Sequence, residues 1–129
     1  MLNETNFSKR YYGKKLLTFT PETKVVAAIK SLVEHKYSGA PVVDGSGNLV
    51  GILSEMDCLE TIIQNSYYSD TGGCVGDFMS TKLVTVNPEM GIVNLAQFFQ
   101  KEHYRRLPVV ENGKLVGQVS RRDVLKALQ

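Results

Sequence analysis

Apolar residues along this chain follow two spacings, and each spacing occurs twice. Val25, Val26, Ile29, Leu32 and Val33 recur at the helical period, as do Ile92, Leu95, Ala96 and Phe99 further on. Short apolar runs mark strands at Leu16–Phe19, Ala40–Val43 and Leu49–Leu53, and again at Leu83–Val86, Leu107–Val110 and Leu115–Val119. Thr20 and Asn87 each precede a proline, so each is expected to cap a helix that opens at Pro21 or Pro88. Asn112-Gly113 is a strong signal for a two-residue hairpin turn, because both residues tolerate positive φ. A closing helix carries Met56, Leu59, Ile62 and Ile63 in one half, and Val124, Leu125 and Leu128 in the other.

The doubling is an internal repeat. Lys15–Asp44 aligns with Lys82–Glu111, and Gly47–Leu59 with Gly113–Leu125; 17 of the 43 aligned positions are identical. The single gap falls in a turn, where insertions are tolerated. Each copy reads β-α-β-β-α, an α/β unit too small to be comfortably stable alone, so two packed copies are expected to share a core. The boundaries are an N-terminal segment 1–14, a first repeat 15–65, a linker 66–76 and a second repeat 77–129. Asp77–Ser80 leads into the second copy in the place Arg10–Gly13 holds in the first.

Composition narrows the class. With 43% hydrophobic and 22% charged residues the chain is globular, and a net charge of +2 argues against a nucleic-acid or membrane partner. Two cysteines are too few for a disulfide framework. Residues 1–15 have no apolar signal core, and no apolar run approaches the roughly 20 residues of a membrane helix. A cytoplasmic protein is expected. His35 and His103 lack metal-ligand spacing, and no phosphate-loop, GxSxG or HExxH motif is present, which points to binding without catalysis.

The pattern that carries chemistry is Gly-x-x-Ser-x-x-Asp, at Gly51–Asp57 and at Gly117–Asp123, where a strand passes into a helix. Ser-x-x-Asp is also a helix capping box, and that structural reading stands beside the functional one. A helix N-terminus offers unpaired N–H groups to an anion, serine adds a donor, and an aspartate can accept from both hydroxyls of a ribose. Arg105, Arg106, Arg121 and Arg122 add guanidinium forks suited to phosphate.

Thr-x-x-Pro, an apolar helix, Ala/Leu-Pro-Val-Val, Gly-x-Leu-Val-Gly-x-x-Ser-x-x-Asp and a final helix, occurring twice in register, resemble a tandem of cystathionine β-synthase (CBS) domains, a Bateman module. The resemblance covers about Gly13 to Gln129. It implies two repeats packed by pseudo-twofold symmetry, with clefts between them for AMP, ADP, ATP or S-adenosylmethionine, and pairing of modules into a homodimer. It also implies a regulated partner on another chain, since this one carries no output domain. By the resemblance, Asp57 and Asp123 hold ribose hydroxyls, and Ser54 and Ser120 meet phosphate. Tyr37-Ser38-Gly39 and Tyr104-Arg105-Arg106 border the base. The Asp57 cleft borrows Thr81 and the Tyr104–Arg106 edge, and the Asp123 cleft borrows Lys14 and the Tyr37–Gly39 edge. Ile52 fits the apolar position that packs on adenine, whereas Gln118 departs from it; the Asp57 cleft is the one expected to be filled. The alternative is a ligand-free interaction module in which both Ser-x-x-Asp boxes are caps alone.

Overall fold

The structure, a computed structural model, describes residues 16–68 and 72–127. The chain divides into two compact units, one over Leu17–Leu83 and one containing the described part of Val84–Gln129.

The first unit runs α1 (Val25–His35), β1 (Gly39–Val43), β2 (Leu49–Ser54), α2 (Glu55–Tyr68) and α3 (Val75–Phe78). β1 and β2 form an antiparallel hairpin that sets Gly39 opposite Ser54 and Pro41 opposite Ile52, with an irregularity at Val42/Val43. The Asp44 carboxylate organises its turn by accepting from the Ser46 and Asn48 amides, each at 2.9 Å. Phe19, Ala28, Leu32, Ala40, Val42, Leu53, Cys58 and Val75 make the core.

The second unit repeats this plan with α4 (Ile92–Glu102), β3 (Arg106–Glu111), β4 (Lys114–Ser120) and α5 (Arg121–Lys126). Its hairpin sets Arg106 opposite Ser120 and Pro108 opposite Gln118, and its irregularity falls at the equivalent step, Val109/Val110. Asn112 and Gly113 take φ of 52° and 83°, as expected of this turn. Ile92, Leu95, Phe99, Leu107, Val109, Val119 and Val124 pack with Val86 into its core.

Three expectations need correction. The runs at 16–19 and 83–86 shrink to single parallel bridges, Phe19 to Val42 and Val86 to Val109. The first helices begin four residues later than Thr20 and Asn87 imply. Lys24 and Gly91 precede them without side-chain caps. The reason is non-local: the carbonyls of Pro21 and Thr23 accept from the Gly76 and Val75 amides, at 2.9 and 2.8 Å, so this stretch is paired before a helix can form. Asn87 instead holds a local turn, accepting from the Glu89 amide at 2.9 Å. Finally, Met56, Leu59, Ile62 and Ile63 all lie exposed, by 53–73%, while Cys58 and Thr61 face inward. Val26, Val33, Ala96 and Leu125 are exposed too; Leu128 lies outside the described residues. Thr61 is tolerated inside because its hydroxyl donates to the Cys58 carbonyl at 2.7 Å.

The described residues just after α2 pack on the first unit. Val75 is fully buried in the first unit's core, and residues 77–83 belong to that same unit.

Candidate functional site

Each unit has one corner where its last strand enters a helix. In the first unit the Ser54 amide and the Ser54 hydroxyl both donate to Asp57 Oδ2, at 2.8 and 2.9 Å, and the Asp57 amide returns a bond to Ser54 Oγ at 3.2 Å. In the second, the Ser120 amide donates to Asp123 Oδ2 at 2.8 Å and the Asp123 amide to Ser120 Oγ at 3.1 Å. Both Ser-x-x-Asp motifs are therefore real capping boxes. The cap uses one carboxylate oxygen only. Among the described residues, Oδ1 of Asp57 and Oδ1 of Asp123 accept no hydrogen bond. The cap fixes the carboxylate and leaves its second oxygen able to accept from a diol. Cap and site are compatible.

The flanks of each corner are held by backbone. At the first, the Glu55 amide donates to the Ser38 carbonyl at 2.9 Å, so Tyr37-Ser38-Gly39 stands directly beside Ser54. Gly39 has to be small, since a Cβ there would lie 2.8 Å from the Leu53 carbonyl oxygen. At the second corner the Arg121 amide donates to the Arg105 carbonyl at 3.0 Å. Within their own unit, Arg105 and Arg106 thus flank Ser120. Tyr104 and all four arginines are exposed, and Gln118 is half-buried opposite Pro108. Lys14 lies outside the described residues.

Ser80 supplies a feature the motif did not reveal. Its amide and carbonyl both pair with Ile52, each at 2.9 Å, forming a third edge beside β2. Thr81, exposed, follows Ser80 directly in the chain, next to the residue that pairs with half-buried Ile52. Close approach explains Gly51: a Cβ there would meet Met79 Sδ at 2.5 Å and the Ser80 carbonyl oxygen at 3.1 Å. A further box went unread, in which the Cys74 amide donates to Asp77 Oδ2 at 2.9 Å and fixes the approach to this edge. Its Cys-x-x-Asp spacing, matching Ser-x-x-Asp, was the available signal. Beneath the first corner, burial pushes the Cys58 thiol pKa up, with the Asp57 and Glu55 carboxylates adding to the shift. No cluster able to hold a metal ion occurs among the described residues.

The CBS domain family model matches residues 9–64 and again 75–129. This chain belongs to the CBS domain family. CBS relatives include the uncharacterized protein MJ1426 of Methanocaldococcus jannaschii, 29% identical over 89% of this chain and 87% of the relative. CBSX1, a chloroplastic CBS domain-containing protein of Arabidopsis thaliana, is 32% identical over 83% of this chain, which spans 56% of its length. Among solved structures, CBSX2 in complex with AMP superposes with a TM-score of 0.81 at 30% identity, covering 98% of this chain and 96% of that one. The CBS domain pair of MJ0100, in complex with 5-methylthioadenosine and S-adenosyl-L-methionine, superposes at 0.76 with 22% identity, covering 99% and 97%, a likeness of fold. The chain is thus a tandem CBS pair of mixed α/β architecture, a Bateman module. No helix among the described residues is long and apolar enough to cross a membrane.

Proposed function

We propose that this CBS pair is a regulatory module that binds an adenosyl ligand (AMP, ADP, ATP or S-adenosylmethionine) and passes its occupancy to a partner chain without catalysing a reaction. One observation carries the reading. Two strand-to-helix corners, repeated in register, each hold a half-buried aspartate by one oxygen and leave the other to accept. A capped carboxylate is preorganised, so a ligand does not have to order it. The similar CBSX2 binds AMP, which supports the ligand class.

In this reading Asp57 and Asp123 accept from ribose hydroxyls, and Ser54 and Ser120 lie toward phosphate. Ile52 packs on the base at one corner, where Gln118 stands at the other. Thr81 and Lys14 serve repeat-equivalent positions, and the Tyr37–Gly39 and Tyr104–Arg106 backbones border the base. A thermal-shift panel tests this: a ligand at 100 times its dissociation constant adds about 2.7 kcal/mol of stability. No shift with any adenosyl compound would remove it.

The working form is proposed to be a homodimer. A groove of about 720 Å³ between α1 and α2, lined by Val33, Met56, Leu59 and Ile62, leaves an apolar face uncovered in the first unit. Lys36 and Glu55 line the same groove, one from the C-terminal end of α1 and one from the start of α2. Cys58 and Cys74 are free thiols, which suits a reducing compartment such as the cytoplasm. The same exposed face, with both Ser-x-x-Asp boxes already closed as caps, favours the second reading, a ligand-free interaction module. It predicts dimerisation indifferent to every adenosyl compound.

A further inference from the structure

Resting on the homodimer reading, we propose that two copies of this chain pair head to tail, the α1–α2 face of one seated on the α4–α5 face of the other, with charge selecting the orientation. The repeat supplies the contrast. Glu55, Met56 and Leu59 align with Arg121, Arg122 and Leu125, and the residues that follow next, Glu60 and Lys126, match in turn. Both carboxylates of the first set are replaced by cations in the second.

The two sets occupy the same surface of one plan. Residues three and four apart share a side of a helix, so Glu55, Met56, Leu59 and Glu60 form one strip of α2, as Arg121, Arg122, Leu125 and Lys126 do on α5. Cys58 and Val124, equivalent in the repeat, are buried, while every residue of both strips is exposed. On α2 the strip continues through exposed Ile62 and Ile63, an apolar area of the kind that marks an interaction surface. α1 packs beside α2 and adds Lys30, Glu34 and Lys36; α4 packs beside α5 and adds Lys101, with Glu102 half-buried. The first face is therefore mixed in sign and the second is basic.

Two copies can bring these faces together in three ways. The second face on itself sets Arg121, Arg122 and Lys126 against the same cations. The first face on itself sets Glu55 and Glu60 of α2 against the same carboxylates, and leaves the cations of the second face unmatched. The mixed contact puts Glu55 and Glu60 opposite Arg121 and Lys126, while Met56 and Leu59 meet Leu125 and the aliphatic stem of Arg122. Charges that flank an apolar seam set partner and direction in this way between paired helices. In a twofold dimer the contact occurs twice, once from each copy. In a chain of net charge +2, this reversal of sign at equivalent positions is local and not a general basicity.

Sedimentation equilibrium tests the orientation on the wild-type chain, on Glu55→Arg/Glu60→Lys, on Arg121→Glu/Lys126→Glu, and on the chain with all these changes together. Each substitution installs the residue that the equivalent position already carries, so the plan accommodates it. Each pairwise variant should weaken the dimer about tenfold or more, and the full exchange should recover it to within about threefold. A dimer indifferent to either pairwise variant would overturn the orientation and leave the homodimer reading standing. A wild-type chain that stays monomeric would end both. Should a variant fail to fold, carbodiimide coupling of mixed isotope-labelled and unlabelled wild-type chain decides. Links between copies from Glu55 or Glu60 to Lys126 support the contact; links between copies confined to Glu55 or Glu60 with Lys30 or Lys36 overturn it.

Discussion

Ser54→Ala and Ser120→Ala perturb two copies of one motif and should cost different amounts. Ser54 Oγ accepts from the Asp57 amide at 3.2 Å and donates to the Asp57 carboxylate at 2.9 Å. Its removal deletes an N-cap, worth about 1 kcal/mol, together with a charge-assisted bond from a half-buried group, adding about 1 kcal/mol more after competition with water. Ser120 Oγ makes only the cap bond, from the Asp123 amide at 3.1 Å. Its loss should cost about 1 kcal/mol. The structural lever differs too, since α2 spans 14 residues and α5 spans 6. Urea denaturation followed by far-UV circular dichroism, with unchanged slopes, gives both values from the midpoints. The reasoning fails if Ser120→Ala proves the costlier variant, or if neither change exceeds about 0.5 kcal/mol.

Other consequences follow from particular contacts. Gly51→Ala forces Met79 aside and crowds the Ser80 carbonyl, so thermal unfolding should show a loss of about 1–3 kcal/mol. An unchanged melting temperature would mean the Ile52–Ser80 edge is not held as described. If the chain pairs through the exposed α1–α2 face as proposed, Ile62→Glu places charge on that face and should shift it toward monomer in sedimentation equilibrium, with little loss of helix content. The Cys58 thiol is pushed up, so the folded chain keeps a proton that the unfolded chain releases. Its contribution is complete below the ordinary thiol value, about 8.5, and is lost as pH rises from there toward the elevated folded value. Cys58→Ala should flatten the alkaline decline in chemical denaturation; an identical decline would refute that origin.

Much of the fold was legible because its signals are local. Turn chemistry at Asn112-Gly113 and the short apolar runs on either side, like that at Leu49–Leu53, specify a hairpin wherever it sits. The start of α1 was misread because Thr23 and Pro21 pair with Val75 and Gly76, a partnership more than 50 residues away in the chain that no propensity encodes, and that of α4 because Asn87 is spent on a local turn. Periodicity found the apolar stripe of α2 but could not say what covers it. Within the unit that stripe points outward, and Cys58 and Thr61 serve as the inner face. At the site, Ser-x-x-Asp gave the corner and its cap together, since both depend on three-residue spacing. The Ser80 edge beside Ile52 was invisible, because one bridged residue leaves no pattern to read.

The central claim is that each capped aspartate keeps one oxygen for a sugar diol. Titration calorimetry of AMP into the intact chain and into an Asp57→Ala/Asp123→Ala double variant addresses it. Loss of bonds to a charged acceptor should weaken binding by about tenfold or more. Equal heats and affinities in both proteins would contradict the account.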